Sequence, residues 1–586
     1  MSRYIMTVET VKIKDFLFST NKLRIIRGAS YLLDYLNQIV VPEILKNNGV
    51  KKEDIIYIGA GNAKFFVDSE DIAKKIANEV KKAYKIKAPN SKIVASFAET
   101  EYKVGGDNSK NKRKIWEDID ELAKNTAIEK SKGFPMMNLD FIGVEKCELC
   151  GRNSAQISVE NLERDLENIG LNVKDEKVIL DDYSLKVPAL REQIKDLTGI
   201  PKEKKLEEEK KEKKQVKKGI ICEECLRKLI FSNRIKDIED KNLENENRKK
   251  ISFYNNMKEE FNTIELGTEI SDYENGKSFI GFMYSDGDGL GDFLKNVSDK
   301  FKKETDNPKV EEDYLGFLNK FSETLDRNTK DALIKAIKKI FAEKKDEKRF
   351  GEFLIVGGDD VCAVFNPELV LELSEKFQKI FEEKMKDYIK GTKAKDSSIT
   401  SSSGVIIAKS KTPAFQLFEQ ALKLQKSAKA KRYEHSAKTG FIDFQVIGSE
   451  GCVDIDSFRK TINRKDEVKK KDNLVMERPY AIDIEESSKV KNVEELFTTI
   501  NELKKIKFPK NKLRYIYELK RDEKLEDFEK KMEFINILSK MKDEHINFIK
   551  KNYNIDYDYQ EFEKYFNNIF DIVELYDFVG GEADEN

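Results

Sequence analysis

Two short glycine-rich segments carry closely spaced carboxylates. One is MYSDGDGLGDF at 283–293, and the other is FLIVGGDDVCAVF at 353–365. If the strands before these turns are neighbours in a sheet, the carboxylates converge and repel one another unless divalent cations neutralise them. The pattern therefore predicts a two-metal site of the kind used in phosphoryl transfer, with Mg²⁺ or Mn²⁺ held by Asp286, Asp288, Asp359 and Asp360.

The glycines around these aspartates favour a nucleotide as the ligand. The backbone amides of Gly287, Gly289 and Leu290 can approach a triphosphate, helped by the N-terminus of the helix that follows. Gly357 and Gly358 have no Cβ atoms, so a base can lie close to the hairpin.

Basic residues cluster on a later predicted helix, FEQALKLQKSAKAKRY at 418–433, where Glu419 is the only acid. A triphosphate needs positive charge near the metals, and Lys429 is the candidate for that role. The other lysines are typical of a solvated helix face. The predicted nucleotide-binding set is Ser285, Gly287, Gly289, Leu290, Gly357, Gly358 and Lys429.

Each acidic segment has a simpler interpretation when taken alone. GGDD is often only a turn, and DGDGLG could be a calcium loop or a capped turn. The DGDGLG segment does not match an EF-hand loop, because Gly291 and Asp292 stand where further ligands should follow. The presence of both segments at strand ends of one α/β unit favours the catalytic interpretation.

Four cysteines form two C-x-x-C pairs, CELC at 147–150 and CEEC at 222–225. Two such pairs can supply the tetrahedral thiolate shell that structural zinc prefers. Unpaired thiols or a redox dithiol would also be compatible with this spacing. Cys362 and Cys452 lack such partners and are predicted core residues. The predicted zinc ligands are Cys147, Cys150, Cys222 and Cys225.

The hydrophobic pattern predicts a multidomain α/β (α+β) protein. We expect a first α/β unit at 1–145 and a zinc-binding helical unit at 146–265. The latter contains an exposed charged insertion at 202–218. A second α/β unit at 266–450 and a helical domain at 451–586 follow.

The two α/β units have a similar order of elements. In the second, the order β, α, ββ, α, β, α, β predicts helices layered on an antiparallel sheet. In each unit a hairpin with a glycine turn, GAGN at 59–62 or GGDD at 357–360, precedes a helix and a strand. This indicates an internal duplication in which only the second hairpin carries carboxylates.

Composition excludes several classes of function. Lys and Arg (108) nearly balance Asp and Glu (109), so net charge says nothing about nucleic acid. His435 and His545 are the only histidines, too few for a histidine-rich metallohydrolase, and no G-x-S-x-G elbow is present. No apolar run approaches the roughly 18 residues of a membrane span. Because the N-terminus has no signal-peptide pattern, we expect a soluble cytoplasmic protein without a membrane partner.

Together the motifs resemble those of a known family. D-G-D-G-x-G, G-G-D-D and the later A-x-x-L…A-K element (ALKLQKSAK, 421–429) are similar to the Palm domain of the polymerase-like large subunit of type III CRISPR effector complexes, the Cas-ten family. The segment KLRIIRGASYLLDYL (22–36) resembles that family's first, degenerate Palm domain. The cysteine pairs resemble its zinc-bearing insertion, and the last helices its C-terminal domain. The resemblance implies two ferredoxin-like Palm domains of the nucleotide-cyclase type.

The resemblance also implies a function. Family members are nucleotidyltransferases that convert ATP into cyclic oligoadenylate second messengers in antiviral defence, when the complex binds target RNA. Asp286 and Asp359 would hold the metals, Asp360 would support them, and a ribose 3′-hydroxyl would attack the α-phosphate with release of pyrophosphate. Asp359 and Asp360 are thus the implied catalytic residues. Lys429 would bind phosphate, and residues 24–66 would line part of the acceptor pocket.

The implied partners are the other subunits of a type III ribonucleoprotein, guide RNA and target RNA. This chain departs from the family in lacking the histidines of an HD nuclease domain, so no DNA cleavage is expected, and in having Lys409 where a histidine is frequent. Some relatives join AMP to S-adenosylmethionine by the same chemistry, and the motifs leave that product open. Two further functions stay open as well, a non-catalytic RNA-binding scaffold and a stand-alone dinucleotide cyclase.

Overall fold

A computed structural model describes most of the chain: residues 3–59, 61–106, 108, 111–132, 144–180, 183–200, 217–234, 253, 257, 260–261, 265–304, 307, 309–343, 351–448, 454–463, 465–466, 471–472, 475–483, 491–522, 524–553 and 565–580. Cys452 and all but the last two residues of the predicted insertion at 202–218 lie outside the described residues.

The first α/β unit is built on an antiparallel sheet with the strand order β2-β3-β1-β4. Its strands are β1 (Arg3–Val11), β2 (Ile55–Gly59), β3 (Asn62–Val67) and β4 (Lys92–Thr100). Its helices are α1 (Ile13–Leu17), α2 (Leu23–Tyr35), α3 (Val41–Asn47), α4 (Glu70–Lys87) and α5 (Ile115–Ser131), with a π-helical turn at Leu36–Val40 and a 3₁₀ turn at Lys52–Asp54.

Helix α4 shows how local sequence fixes these elements. Ser69 caps its first turn by accepting a hydrogen bond from Ile72 N at 3.3 Å, which satisfies a backbone donor that the helix leaves free. Apolar residues recur at helical spacing and are buried against the sheet, a pattern that stabilises a helix by removing one face from water: Ala73, Ile76, Ala77, Val80 and Tyr84.

The cysteine-bearing unit follows and consists of short elements. Two small sheets pair β5 (Ile157–Ser158) with β9 (Ile220–Ile221), and β6 (Asn172–Lys174) with β7 (Lys177–Leu180) and β8 (Tyr183–Lys186). The helices are α6 (Leu162–Asn168), α7 (Val187–Thr198) and α8 (Glu223–Arg234). Gly28 of α2 lets α8 approach closely, because a Cβ atom at Gly28 would lie 1.8 Å from Lys228 O.

The second α/β unit contains the GGDD hairpin. Its strands are β10 (Phe279–Asp288), β11 (Gly351–Gly357), β12 (Asp360–Phe365), β13 (Thr400–Lys409) and β14 (Phe441–Ile447), in the order β11-β12-β10-β13-β14. Its helices are α9 (Leu290–Lys302), α10 (Val310–Glu343), α11 (Val370–Lys390) and α12 (Ala414–Glu434), preceded by a 3₁₀ turn at Ile270–Tyr273. The sheet lies between α12 on one face and α9, α10 and α11 on the other.

The expected all-antiparallel sheet is wrong at one position. Strands β13 and β14 pair in parallel, with Ser403 opposite Ile442. The reason is the connection between them: α12 crosses over the sheet face, and a crossover returns the chain in the same direction. The predicted order also lacks one helix, because two helices, α9 and α10, stand between β10 and β11 where one was expected. The remaining elements follow the predicted order.

The two α/β units share one topology. In both, a hairpin lies at one edge (β2–β3 or β11–β12), the first strand of the unit is beside it (β1 or β10), and a later strand completes the set (β4 or β13). This agreement supports the interpretation that one unit is a divergent copy of the other. The multidomain α/β fold class is confirmed, while the exact domain limits at 145, 265 and 450 stay predictions.

The last part of the chain is mainly helical. Its described elements are α13 (Ile455–Ile462), β15 (Lys465–Asp466), β16 (Lys471–Asp472), β17 (Tyr480–Ala481), α14 (Val493–Lys505), α15 (Lys510–Arg521), α16 (Asp527–Ser539), α17 (Asp543–Tyr553) and α18 (Ile569–Leu575). Strand β17 extends the second sheet by pairing with β14, so this region is continuous with the second unit. Among the described residues, none of the helices has the length and apolar character needed to cross a bilayer.

Candidate nucleotide and metal sites

Asp286 and Asp288 lie at the end of β10 on the face that α12 covers. Alternate residues of a strand share a face, so Tyr284 is on that face too. Lys429 of α12 donates from Nζ to Asp286 Oδ2 and to Gly287 O, at 2.7 Å in each case, and lies 3.5 Å from Asp288 Oδ1. The predicted phosphate-binding lysine is therefore in contact with the predicted carboxylates.

Asp288 is the more deeply buried of the two. Its Oδ2 accepts hydrogen bonds from Ser402 Oγ at 2.5 Å and from Thr400 Oγ1 at 3.4 Å, and Arg432 Nε lies 4.0 Å away. Burial raises the pKa of Asp288, while Ser402 and the nearby cations oppose that rise. Asp288 thus lies within ion-pair distance of Lys429 and Arg432, and its role as a metal ligand stays a prediction.

Asp360 begins β12 and is held by a tyrosine. Tyr284 Oη donates to Asp360 Oδ1 at 2.5 Å, and Lys14 Nζ of the first unit donates to Tyr284 Oη at 2.8 Å. Burial raises the pKa of Asp360, and Asp286 adds to the rise, whereas the bond from Tyr284 and the charge of Lys14 lower it.

Asp359 occupies the tip of the GGDD turn and packs on Gly287. A Cβ atom placed on Gly287 would come within 2.6 Å of Asp359 Oδ2, so the absence of a side chain there makes room for the carboxylate. Burial, then Asp360 and Asp286, raise the pKa of Asp359 to about 7. The turn thus holds a carboxylate whose negative charge is only partly compensated by the protein.

This electrostatic arrangement fits a divalent cation. Burial and the charge of Asp286 raise the pKa values of both Asp359 and Asp360, and a 2+ charge would relieve that repulsion. The three carboxylates are less compact than a preformed cluster: among the described residues, only the four cysteines place three or more metal-ligating atoms within 4.8 Å of one another. Carboxylate oxygens are the ligands that Mg²⁺ and Mn²⁺ prefer.

The backbone of both turns depends on glycine and on support from α10. Gly289 precedes α9 with φ +77°, and Gly358 has φ +62°, a left-handed conformation that L-residues rarely adopt. Thr329 Oγ1 donates to Gly358 O at 2.6 Å, and Gly358 N lies 3.4 Å from Asp326 Oδ1. Helix α10 therefore holds the GGDD turn in position through these two hydrogen bonds.

The remaining predicted residues divide into two groups. Leu290 opens α9 directly after Gly289, and Gly357 ends β11 opposite Asp360, so both adjoin the carboxylates. Ser285 does not join them through its side chain. It is fully buried on the other face of the sheet, where its hydroxyl contacts Ser401 Oγ at 2.7 Å and Ser403 Oγ at 2.9 Å.

A cavity of about 650 Å³ opens at the GGDD turn. Tyr57 and Lys64 of the first unit line one side, Phe321 and Leu325 of α10 line another, and Asp359 lies at its end. Burial lowers the pKa of Lys64 to about 8. The cavity thus draws on the range 24–66, for which the resemblance implied a contribution, and what it binds stays a prediction.

The four predicted zinc ligands come together. The Sγ atoms of Cys147, Cys150, Cys222 and Cys225 lie within 4.8 Å of one another, and those of Cys150 and Cys222 are 3.9 Å apart. A tetrahedral shell with Zn–S bonds of about 2.3 Å needs sulfur atoms roughly 3.8 Å apart, so the set fits zinc. Cys362, in contrast, is buried in β12 as the sequence predicted.

Sequence reasoning missed several residues that shape the carboxylate site. Tyr284 contacts Asp360 directly, and Lys14 reaches Asp360 through Tyr284. Gln425 Nε2 lies 3.3 Å from Asp286 Oδ2. Strand alternation could have identified Tyr284, because it stands two residues before Asp286. Nothing in the local pattern marks Lys14.

Comparison with known proteins shows what this chain is similar to. Residues 279–437 match the family model "Cas10/Cmr2, second palm domain", and residues 5–146 match "Csm1 subunit domain B". The chain is Cas10-like. The first match covers β10 through α12, and with them the aspartates, the GGDD turn and Lys429. No curated protein matches this chain.

Solved structures of similar fold include Csm1–Csm4 cassettes. The cassette in complex with cA3 has a TM-score of 0.51 at 12% identity, over 98% of this chain and 70% of that chain. The cassette in complex with cA4 has a TM-score of 0.42 at 14% identity, over 73% of this chain and 53% of that one. The cassette in complex with one ATP has a TM-score of 0.42 at 13% identity, over 73% of this chain and 53% of that chain. This chain thus spans about half the length of the first solved chains that it matches.

Proposed function

We propose that this chain is the large subunit of a type III CRISPR effector complex, and that its second α/β unit is a nucleotidyltransferase. On binding of target RNA to the assembled complex, it would convert ATP into a cyclic oligoadenylate for antiviral defence. Its partners would be the other subunits, guide RNA and target RNA. The matches to the second palm domain of Cas10/Cmr2 and to domain B of the Csm1 subunit support this proposal, as does the similar fold of the Csm1–Csm4 cassette in complex with cA3.

The observation that carries the proposal is that three aspartates, a lysine and a cavity lie together at the GGDD turn. Asp359 and Asp360 stand beside Asp286, Lys429 contacts Asp286, and the cavity between the two α/β units opens at Asp359. A non-catalytic turn does not require carboxylates whose pKa values are raised by burial and by their acidic neighbours.

The residues have separable roles in phosphoryl transfer. Mg²⁺ or Mn²⁺, when bound, would supply a Lewis acid and charge neutralisation for attack of a ribose 3′-hydroxyl on an α-phosphate. Asp286, Asp359 and Asp360 would hold the cations. Lys429 would exchange part of its contact with Asp286 for a phosphate oxygen, which its flexible side chain permits.

The cavity supports a nucleotide as the ligand. Tyr57 and Phe321 offer aromatic surface to a base, and Lys64 supplies a positive charge from the first unit. Asn319 of α10 donates to Ile56 O of β2 at 2.7 Å, which ties together the two sides of the cavity. Substrate would thus be held between a catalytic unit and a copy of it whose glycine hairpin carries no carboxylate.

The test uses the assembled complex with guide RNA, target RNA, ATP and Mn²⁺ or Mg²⁺. We expect pyrophosphate release from the wild type and none from the Asp359→Ala/Asp360→Ala double variant. Lys429→Met should lower the rate at least tenfold, whereas Lys426→Met, on the exposed side of the same helix, should not. Pyrophosphate release that survives in the double variant would overturn the proposal.

Mass spectrometry of the product distinguishes the candidate reactions. A cyclic oligoadenylate supports the proposal, and an AMP adduct that appears only with S-adenosylmethionine would assign the same site to that acceptor. A stand-alone cyclase would turn over GTP without partners. An assembled complex that binds neither ATP nor metal would indicate a scaffold.

A further inference from the structure

One side chain of the first α/β unit reaches the carboxylate site of the second. Lys14, on the short helix α1, donates from Nζ to Tyr284 Oη at 2.8 Å and lies 4.1 Å from the centre of the Tyr284 ring. Tyr284 Oη in turn lies 2.5 Å from Asp360 Oδ1. The three residues therefore form a continuous chain of contacts from α1 to the GGDD turn.

The chemistry of the donors fixes the direction of this chain. A lysine ammonium has donors only, so Tyr284 Oη accepts from Lys14 and its own proton points to Asp360 Oδ1. One carboxylate oxygen of Asp360 is thereby occupied by a neutral donor. This hydrogen bond sets the orientation of the Asp360 carboxylate, which also faces the charge of Asp286.

The cysteine-bearing unit holds α1 in place. Lys228 of α8 is fully buried, donates to Phe16 O at 2.5 Å and pairs with Glu224. Glu224 also accepts from Asn153 at 2.8 Å, and Thr20 Oγ1 donates to Leu149 O at 2.7 Å. These hydrogen bonds attach α1, which carries Lys14, and the residues that follow it to the segments that carry the cysteines.

We propose that Lys14 and Tyr284 are positioning residues that orient Asp360 as a ligand for a divalent cation. The first α/β unit would thus contribute to cation binding in the second, although it carries no carboxylate at its own hairpin. The inference rests on the proposed function, since it assumes that the second unit binds a divalent cation.

A purely structural role would depend on the rings rather than on the hydroxyl. Lys14 also lies 5.1 Å from the ring of Phe418, and Tyr284 and Phe418 pack edge to face at 5.3 Å. Tyr284→Phe keeps both ring contacts and removes only the hydroxyl. It therefore separates hydrogen-bonded positioning from aromatic packing.

The experiment measures Mn²⁺ binding to the full zinc-loaded chain by electron paramagnetic resonance, without ATP or RNA. We expect Tyr284→Phe and Lys14→Met each to weaken binding about tenfold, the scale of one charge-assisted hydrogen bond. Because Lys14 acts on Asp360 through Tyr284, the double variant should lose no more Mn²⁺ affinity than the weaker-binding single variant. Lys14→Arg, which keeps a donor and a charge, should restore most of the affinity.

The matched control is Lys46→Met, an exposed lysine of the first unit, which should bind Mn²⁺ as the wild type does. In the assembled complex, Tyr284→Phe should lower kcat for ATP and leave KM within about twofold. Wild-type Mn²⁺ affinity in both Tyr284→Phe and Lys14→Met, with loss of binding in Asp360→Ala, would overturn this inference and leave the proposed function intact. If the wild type and Asp360→Ala bind Mn²⁺ equally, or neither binds it, both this inference and the proposed function would be overturned.

Discussion

Gly287 and Asp359 are in van der Waals contact across the two acidic segments: a Cβ atom on Gly287 would lie 2.6 Å from Asp359 Oδ2 and 2.8 Å from Asp359 Cβ. It would also lie 2.5 Å from Leu290 Cδ1, so the side chains of Leu290 and Asp359 would both have to shift. We expect Gly287→Ala to displace Asp359 and to lower pyrophosphate release in the assembled complex by at least tenfold.

The same turn offers a matched control for this substitution. Gly291 stands in α9, and a Cβ atom there meets nothing within 4 Å. Gly291→Ala should therefore retain activity and stabilise the helix by up to about 1 kcal/mol. Equal activity of the two alanine variants would contradict a tight contact between Gly287 and Asp359.

Asp359 should make stability depend on pH in the absence of divalent cations. Its pKa rises from 3.8 to about 7 on folding, so the folded state binds the proton more tightly than the unfolded state. The resulting stability is present below about pH 4 and is lost as pH rises through 7. Asp359→Asn cannot ionise, so we expect it to exceed the wild type at pH 8 by on the order of 1–3 kcal/mol, a difference that narrows toward pH 5.

Thermal unfolding of both proteins at pH 5 and pH 8, without metal, measures this difference. Saturating Mg²⁺ at pH 8 should stabilise the wild type and not Asp359→Asn, because the cation compensates the carboxylate charge. The same difference between the two proteins at both pH values would show that Asp359 keeps its ordinary pKa.

Periodicity and turn residues predicted the units of this fold because those signals are local. The two glycine hairpins, the helices after them and the topological repeat all follow from spacing along the chain. Alternation along β10 would also have set Ser285 apart from Asp286 and Asp288, since neighbours in a strand face opposite sides. The parallel pairing of β13 with β14 depended instead on where α12 crosses the sheet.

The parts of the site that sequence could not predict are contacts between distant segments. Lys14 and Tyr284 are 270 positions apart, and neither stands in a motif that marks the other. Thr329 and Asp326 support the GGDD turn from the middle of a long helix, α10, where they have no local signature. The cysteines were predictable despite their separation, because each C-x-x-C pair is itself a local pattern.

The cysteine cluster should bind one zinc ion per chain. Cys222→Ser removes a ligand and also the sulfur that lies 3.6 Å from Asn153 Nδ2, so we expect loss of zinc and increased proteolysis near 146–234. Elemental analysis of the purified chain measures the metal. Cys362→Ala, which removes a buried thiol outside the cluster, should keep its zinc. A full complement of zinc in Cys222→Ser would refute the four-cysteine assignment.

The two α/β units are joined by a buried ion pair, and removing one partner of that pair should destabilise the protein. Arg27 of α2 binds Glu352 of β11 with Nε–Oε1 at 2.5 Å, and both side chains are about 5% exposed or less. Arg27→Met would leave the buried Glu352 carboxylate without its cation, although Tyr273 Oη still donates to it at 3.1 Å. We expect a cost of about 3–5 kcal/mol, seen as a lower thermal midpoint. Adding Glu352→Leu should recover most of that loss, because the unpaired charge is then removed.

Arg514→Met, which breaks an exposed helical pair with Glu518, should change stability by less than about 0.5 kcal/mol. Equal effects of Arg27→Met and Arg514→Met would mean that water reaches Glu352.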